Sequence, residues 1–257
     1  MPILYIFASV LLVSAASFAG AFSISISPGR LRQILIFLIP LAIGALLGDA
    51  FFHLIPQAFE ETENPAAISF LVLLGIFSVF LLEKFLRWHH HSAMENSSDH
   101  APHAPHKEDP KYLGQIILFS DGLHNFIDGI VIGVSYLASV EIGIATTLAV
   151  ILHEIPQEIG DFGVLIYSGY KRATALLYNF LSALTAVAGA TLVIILGSFP
   201  ERLVEGVLPF AAGIFIYIAS SDLVPELHKH EKGKNVFFEI AGLAVGILAM
   251  YLLLFLE

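Results

Sequence analysis

His153-Glu154-Ile155-Pro156-Gln157-Glu158-Ile159-Gly160-Asp161 interrupts an apolar run from about Ile142 to Tyr167. Glu154, Gln157, Glu158 and Asp161 recur at i, i+3, i+4 and i+7. On a helix that spacing makes one polar stripe, with His153 at its edge. A second stripe, Asp121, His124, Asn125 and Asp128, has the same spacing inside an upstream apolar run. Two helices apolar enough for a membrane therefore each carry a line of oxygen and imidazole donors at mid-length. A carboxylate at the centre of a bilayer costs about 2.5–3.5 kcal/mol, so five unpaired acids would cost on the order of 15 kcal/mol. A divalent cation bound between the stripes offsets that burden with few parts.

The composition agrees with a membrane setting. Of the 257 residues, 57% are hydrophobic and only 13% charged, and the mean hydropathy is +0.82. This excludes an ordinary soluble domain. Cysteine is absent, which excludes disulfides and thiolate metal sites. The net charge of −10 counts acids that lie within apolar segments, and no basic stripe suggests a nucleic-acid partner.

About 20 helical residues cross the hydrocarbon core, and eight segments are long enough: 3–26, 34–58, 67–87, 112–138, 141–169, 172–196, 203–226 and 235–256. The expected fold is all-α, a polytopic bundle of eight transmembrane helices forming a single transmembrane domain. Ala15-Ala16-Ser17-Phe18-Ala19 has the small residues of a signal-peptide cleavage site. No basic stretch precedes it, and the apolar run is longer than usual in such peptides, so it is read as a span.

Orientation follows from the basic residues. Arg30, Arg32, Lys84, Arg87, Lys107, Lys111, Lys171, Arg172, Lys229, Lys232 and Lys234 fall in alternate loops, eleven of the twelve Lys and Arg in the chain. Arg202 alone lies on the other side, among Glu60, Glu61, Glu63, Glu141, Glu201 and Glu205. Both termini are therefore expected outside and the 88–111 loop in the cytoplasm. That loop holds His89, His90, His91, His100, His103 and His106 with three prolines. Its composition predicts disorder, and its histidines suit weak, labile metal binding.

Two short alignments suggest internal symmetry. His124-Asn125-Phe126-Ile127-Asp128 matches His153-Glu154-Ile155-Pro156-Gln157, and His53-Leu54-Ile55-Pro56-Gln57 matches Asp222-Leu223-Val224-Pro225-Glu226. Each pair lies on spans expected to run in opposite directions, as in the inverted repeats of secondary transporters.

The donor types suit Zn2+, Fe2+ and Mn2+ better than Cu+. His124 and Asp128 can reach one ion from a single turn, and His153 and Gln157 repeat that geometry. Asn125, Glu154 and Glu158 lie one position round, placed for a neighbouring second site. Asp121 and Asp161 are expected as flanking or gate residues, and Asp49, His53, Asp222 and Glu226 as the lining of an entry or exit path. Pro156 cannot donate to the carbonyl of Leu152, which makes a kink and a backbone ligand available there. Interhelical hydrogen bonding would explain one buried Asn or His, but nine polar groups on two stripes exceed what it requires.

These residues carry a resemblance. The chain resembles the Zrt/Irt-like (ZIP) metal-ion transporters, in particular the subgroup with HNFxDG in the fourth span and HExPHExGD in the fifth. Here those motifs read His124-Asn125-Phe126-Ile127-Asp128-Gly129 and His153-Glu154-Ile155-Pro156-Gln157-Glu158-Ile159-Gly160-Asp161. Gly48-Asp49-Ala50, His53-Leu54-Ile55-Pro56, Asn179-Phe180-Leu181-Ser182-Ala183 and Pro209-Phe210-Ala211-Ala212-Gly213 are similar to further family segments. The resemblance implies a binuclear centre between the fourth and fifth helices, uptake toward the cytoplasm, a homodimer, and a multi-pass protein of the plasma membrane. Zn2+ is the expected substrate, with Fe2+, Mn2+ and Cd2+ as further candidates. Gln157 departs from the pattern, standing where the subgroup has His, and an amide binds Zn2+ more weakly than imidazole.

Two other classes compete. An intramembrane zinc hydrolase would use His-Glu-x-x-His with Glu as general base, but the fifth position here is Gln157 and Pro156 falls within the turn. A metal-independent, proton-coupled carrier could also use buried His and acids. The sequence favours the metal transporter and no enzyme activity.

Overall fold

The computed structural model describes residues 2–61, 64–95, 110–196, 200–225 and 236–256, and those residues are helical almost throughout. The helices are α1 (Pro2–Ala16), α2 (Ala19–Ser25), α3 (Pro28–Asp49), α4 (Ile55–Glu61), α5 (Pro65–Glu95), α6 (Pro110–Ala138), α7 (Val140–Tyr167), α8 (Arg172–Ala183), α9 (Thr185–Leu196), α10 (Pro200–Tyr217) and α11 (Val236–Leu253). Several expected spans are broken rods. α1 and α2 share the first, with a turn at Ser17 and Phe18. α8 and α9 share the sixth, broken at Leu184, while the Thr185 hydroxyl bonds the carbonyls of Ser182 and Gly122.

The second and seventh spans break differently, and alike. α3 passes through a π-helical segment, Ala50–Leu54, into α4, and α10 passes into a π-helical segment, Ile218–Leu223. Pro56 and Pro225 lie just beyond these segments. Proline removes one helical donor and its ring clashes with the carbonyl four residues back. Widening to i→i+5 bonding absorbs both effects. Each segment ends in the first two residues of an aligned stretch, His53-Leu54 in one and Asp222-Leu223 in the other, so the sequence symmetry reappears as backbone geometry. Asp222 lies in the second segment; Glu226 lies outside the described residues.

Seven runs are long and apolar enough to cross a membrane: Ile3–Ser23, Gly29–Glu60, Pro65–Leu82, Ile117–Ala138, Arg172–Leu196, Val204–Ser221 and Val236–Leu253. α7, the remaining expected span, has the length but not the composition, because Glu141, Glu154, Glu158 and Asp161 interrupt it. The helix with the densest donor stripe is thus the one expected span that is absent from these seven. It is also shielded: α1, α2, α3, α6 and α8 all pack on it.

The helices fall into two packed groups. α11 packs on α3 and α5 on α10, while α6 packs on α7 and α9, with α1 against α7 and α9. The groups meet where α3 touches α7 and α10 touches α6. Backbone closeness within the second group depends on Gly129, since a Cβ there would run into the Ala186 carbonyl on α9. α5 and α11 turn large apolar side chains outward, among them Phe70, Leu73, Phe77, Phe237, Ile240 and Leu248, as lipid-facing helices do.

α5 continues as helix to Glu95, past the expected start of the histidine-rich loop. His89, His90 and His91 therefore lie on helical backbone. Their neighbours Ser92, Ala93, Met94 and Glu95 contain no breaker, so the helix extends past its apolar part. His100, His103 and His106 lie outside the described residues.

Candidate metal centre

α6 and α7 run antiparallel from a tight joint, where the Ser139 side chain caps α7 by accepting from the Ile142 amide. This joint sets Asp128 opposite His153 halfway along the pair. His153 is fully buried, and its Nδ1 donates to the Ala149 carbonyl at 3.2 Å. That bond places the ring proton on Nδ1 and leaves the Nε2 lone pair for a ligand.

Around that Nε2 lie His124 Nε2 at 3.2 Å, Asp128 Oδ2 at 3.5 Å and Glu154 Oε1 at 3.4 Å. His124 Nε2 is in turn 3.6 Å from Asp128 Oδ2 and 3.4 Å from Glu154 Oε1. A tetrahedron drawn around an ion with bonds of about 2.0–2.1 Å has edges of about 3.3 Å. Five of the six edges of the His124–Asp128–His153–Glu154 set thus have the length a tetrahedral divalent ion requires. The two imidazoles stand perpendicular, with centroids 5.4 Å apart, so both ring nitrogens aim at one point.

A second set adjoins the first. Ligand oxygens of Asp121, Glu154 and Glu158 lie within 4.8 Å of one another. Glu154 belongs to both sets. Asn125 holds Asp121, donating through Nδ2 to Asp121 Oδ1 at 2.9 Å. Asn179, on α8, donates through Nδ2 to Glu158 Oε2. The outward-turned atoms Asp121 Oδ2, Asn125 Oδ1 and Glu158 Oε1 are buried without hydrogen-bond partners. Buried orphan acceptors are rare and costly, and Asp121 and Glu158 carry theirs within the second set. The first set mixes nitrogen and oxygen; the second is all oxygen and suits harder cations.

The other anticipated residues take different places. Gln157 and Asp161 line a cavity of about 480 Å³ that also reaches Asp121, His124 and Pro156. The remainder of its wall comes largely from Leu35, Ile39, Val79 and Leu82. These positions lie in the halves of α3, α5, α6 and α7 that adjoin the basic loops. Across the centre from the cavity, Leu46, Val131, Ile132, Ala149 and Val150 are buried in one apolar cluster. Asp49 and His53 are buried away from the centre, His53 donating through Nε2 to the Met250 carbonyl at 3.0 Å. α7 continues unbroken through Pro156.

Asn179 was not singled out as a donor from sequence. One Asn in an apolar span reads as interhelical glue; its placement beside Glu158 depends on how α8 packs against α7.

A helical membrane bundle with buried, converging His and carboxylate side chains and a cavity leading to them is the architecture expected of a metal-ion transporter. The sequence model of the ZIP Zinc transporter family matches residues 2–112 and 104–254. The chain belongs to that family and is a divalent metal-cation transporter. It is 33% identical to mouse zinc transporter ZIP13, over 89% of this chain and 71% of that protein. Mouse zinc transporter SLC39A7 is 30% identical over 98% of this chain and 70% of its own length. The metal cation symporter ZIP14 of Xenopus tropicalis is 31% identical, over 97% and 68%.

Proposed function

We propose that the chain carries Zn2+ toward the cytoplasm through a binuclear centre between α6 and α7. The first ion is held by His124, Asp128, His153 and Glu154. The second is held by Glu154, Asp121 and Glu158, with Asn125 and Asn179 holding the carboxylates in place. The observation that carries this reading is the set of tetrahedral edge lengths around His153 Nε2.

The sharing of Glu154 gives the centre a way to pass an ion on. A carboxylate that leaves one ion while keeping its neighbour lowers the barrier between adjacent sites, and the all-oxygen second site binds Zn2+ less tightly than the first. From there Asp161 and Gln157 lie on the cavity wall. The basic loops at that end of the spans put the cavity on the cytoplasmic side, which makes this arrangement the inward-facing one. On this reading both termini lie outside, and the family resemblance implies a multi-pass protein of the plasma membrane that works as a homodimer. Fe2+, Mn2+ and Cd2+ fit the same donors and are competing substrates.

Transport is favoured over hydrolysis because Glu154, the residue a His-Glu-x-x-His hydrolase would use as general base, is committed to ligand positions in both sets. The test is uptake in proteoliposomes, with Zn2+ opposed by Fe2+, Mn2+ and Cd2+ and with pH gradients imposed separately. Accumulation of Zn2+ that competing divalents reduce supports the proposal. Proton flux with no metal dependence would replace it with the proton carrier.

A further inference from the structure

A groove separate from the cavity at the centre runs between α6 and the broken rod of α8 and α9. Phe119, Gly122 and Phe126 line one wall and Tyr178, Leu181 and Ala188 the other, around about 510 Å³. Phe126 and Ala188 also line a second cavity of about 740 Å³, which continues toward Leu11 on α1. Phe119, Leu181 and Ala188 are exposed, and in a membrane bundle such a face meets hydrocarbon. The groove exists because the helices part. A Cβ on Gly129 would strike the Ala186 carbonyl and one on Gly189 the Phe126 carbonyl, so α6 and α9 touch there through backbone. A Cβ on Gly122 would find no neighbour closer than 3.7 Å.

The walls ask for an apolar occupant. Their two hydroxyls are already spent: Ser182 donates to the Tyr178 and Asn179 carbonyls and Thr185 to those of Ser182 and Gly122. Along α6 the groove runs from Leu118 to Phe126, a rise of about 12 Å, close to the depth of one leaflet's hydrocarbon, about 15 Å. Its end is not apolar. There Tyr178 meets Tyr170 edge to face, with ring centroids 5.8 Å apart. Tyrosines gather at the level of the headgroups. Lys171 and Arg172 follow Tyr170 directly, and both are exposed.

We propose that this groove seats one anionic phospholipid, with an acyl chain between α6 and α8 and the phosphate at Lys171 and Arg172. Basic side chains at the end of an interhelical groove are what an anionic headgroup requires, and they select it over a zwitterionic one. They also argue against a second copy of the chain on this face. A two-fold contact places the same patch on both sides, which would set Lys171 and Arg172 against their own counterparts.

The test reconstitutes the full chain in vesicles of equal phosphatidylglycerol and phosphatidylcholine, re-extracts it in excess detergent, and measures by mass spectrometry the lipid retained per chain. Wild-type protein should keep phosphatidylglycerol over phosphatidylcholine by on the order of tenfold. Joint Lys171→Gln and Arg172→Gln should bring that ratio to about one. Gly122→Leu, which fills the groove from its floor, should lower retention of both lipids. Equal retention of the two lipids by wild type, or an unchanged preference in the Gln pair, overturns the proposal. Should the Gln pair fail to insert, Gly122→Leu decides: unchanged retention of phosphatidylglycerol overturns the site. Unchanged retention with loss of a dimer in Gly122→Leu would give this face to a second copy instead.

Discussion

Nε2 of His124 and Nε2 of His153 face each other at 3.2 Å across α6 and α7. With His153 Nδ1 committed to Ala149, the Nε2 lone pair is left facing the neighbouring donors, which is where the proposed ion would sit. Glu154 and Asp128 complete the set, and Glu154 continues into the neighbouring one.

That sharing separates two carboxylates by their effect on stoichiometry. Glu154→Gln should reduce bound Zn2+ by two ions per chain relative to wild type, and Asp121→Asn by one. Equilibrium dialysis of purified protein reads the difference directly, and the histidine-rich loop contributes equally to every variant. Equal losses in both variants would separate Glu154 from one of its two sets.

Gln157 lines the cavity at the level of His124. Imidazole is a stronger donor to Zn2+ than an amide oxygen, and Zn2+ gains more from it than Mn2+ does. Gln157→His should therefore raise the ratio of Zn2+ to Mn2+ uptake at limiting metal, while maximal turnover stays level or falls, because a tighter ion leaves more slowly. An unchanged ratio would mean that residue 157 does not meet the ion.

Orientation is open to a labelling test, and the native chain has no cysteine to interfere. A cysteine replacing Glu63 should react with an impermeant thiol reagent added outside intact cells. One replacing Ser97 should react only after permeabilisation. The reverse pattern would turn the cavity toward the exterior.

Gly129 lets α6 lie against the Ala186 carbonyl. Gly129→Val should push α6 from α9, destabilising the fold by about 1–3 kcal/mol, the usual range for overpacking. It should also lower the temperature at which the purified protein aggregates in detergent. A variant as stable as wild type would show that the two helices can separate there without loss.

Much of this was legible in the sequence, for identifiable reasons. Apolar runs report spans wherever lipid is the solvent, and the i, i+3, i+4, i+7 stripes place donors on one face of α6 and of α7 without reference to other helices. Which donor neighbours which was not legible: Gln157 was expected beside His153, whereas Glu154 Oε1 lies 3.4 Å from its Nε2 and Gln157 lines the cavity, an arrangement fixed by the rotation of α7 about its axis. Asn179, though part of a family-like segment, was not read as a donor, because a single amide in an apolar helix reads as interhelical glue. The π segments before Pro56 and Pro225 were also unforeseen, since proline reports a break in bonding but not how the backbone absorbs it. α7 shows the limit of composition, because its acids disqualify it by hydropathy and its shielding by neighbouring helices restores it.

The most direct measurement is Zn2+ uptake into proteoliposomes by Asp128→Ala, beside wild-type protein reconstituted at equal density. Removing this anionic donor should lower affinity at the first site by more than about 100-fold, beyond the effect of losing a residue that merely supports a ligand. Uptake at limiting Zn2+ should then fall to the level of empty liposomes while the variant remains monodisperse and inserted. Uptake by Asp128→Ala at the wild-type rate would contradict the claim that the transported ion passes between His124 and His153.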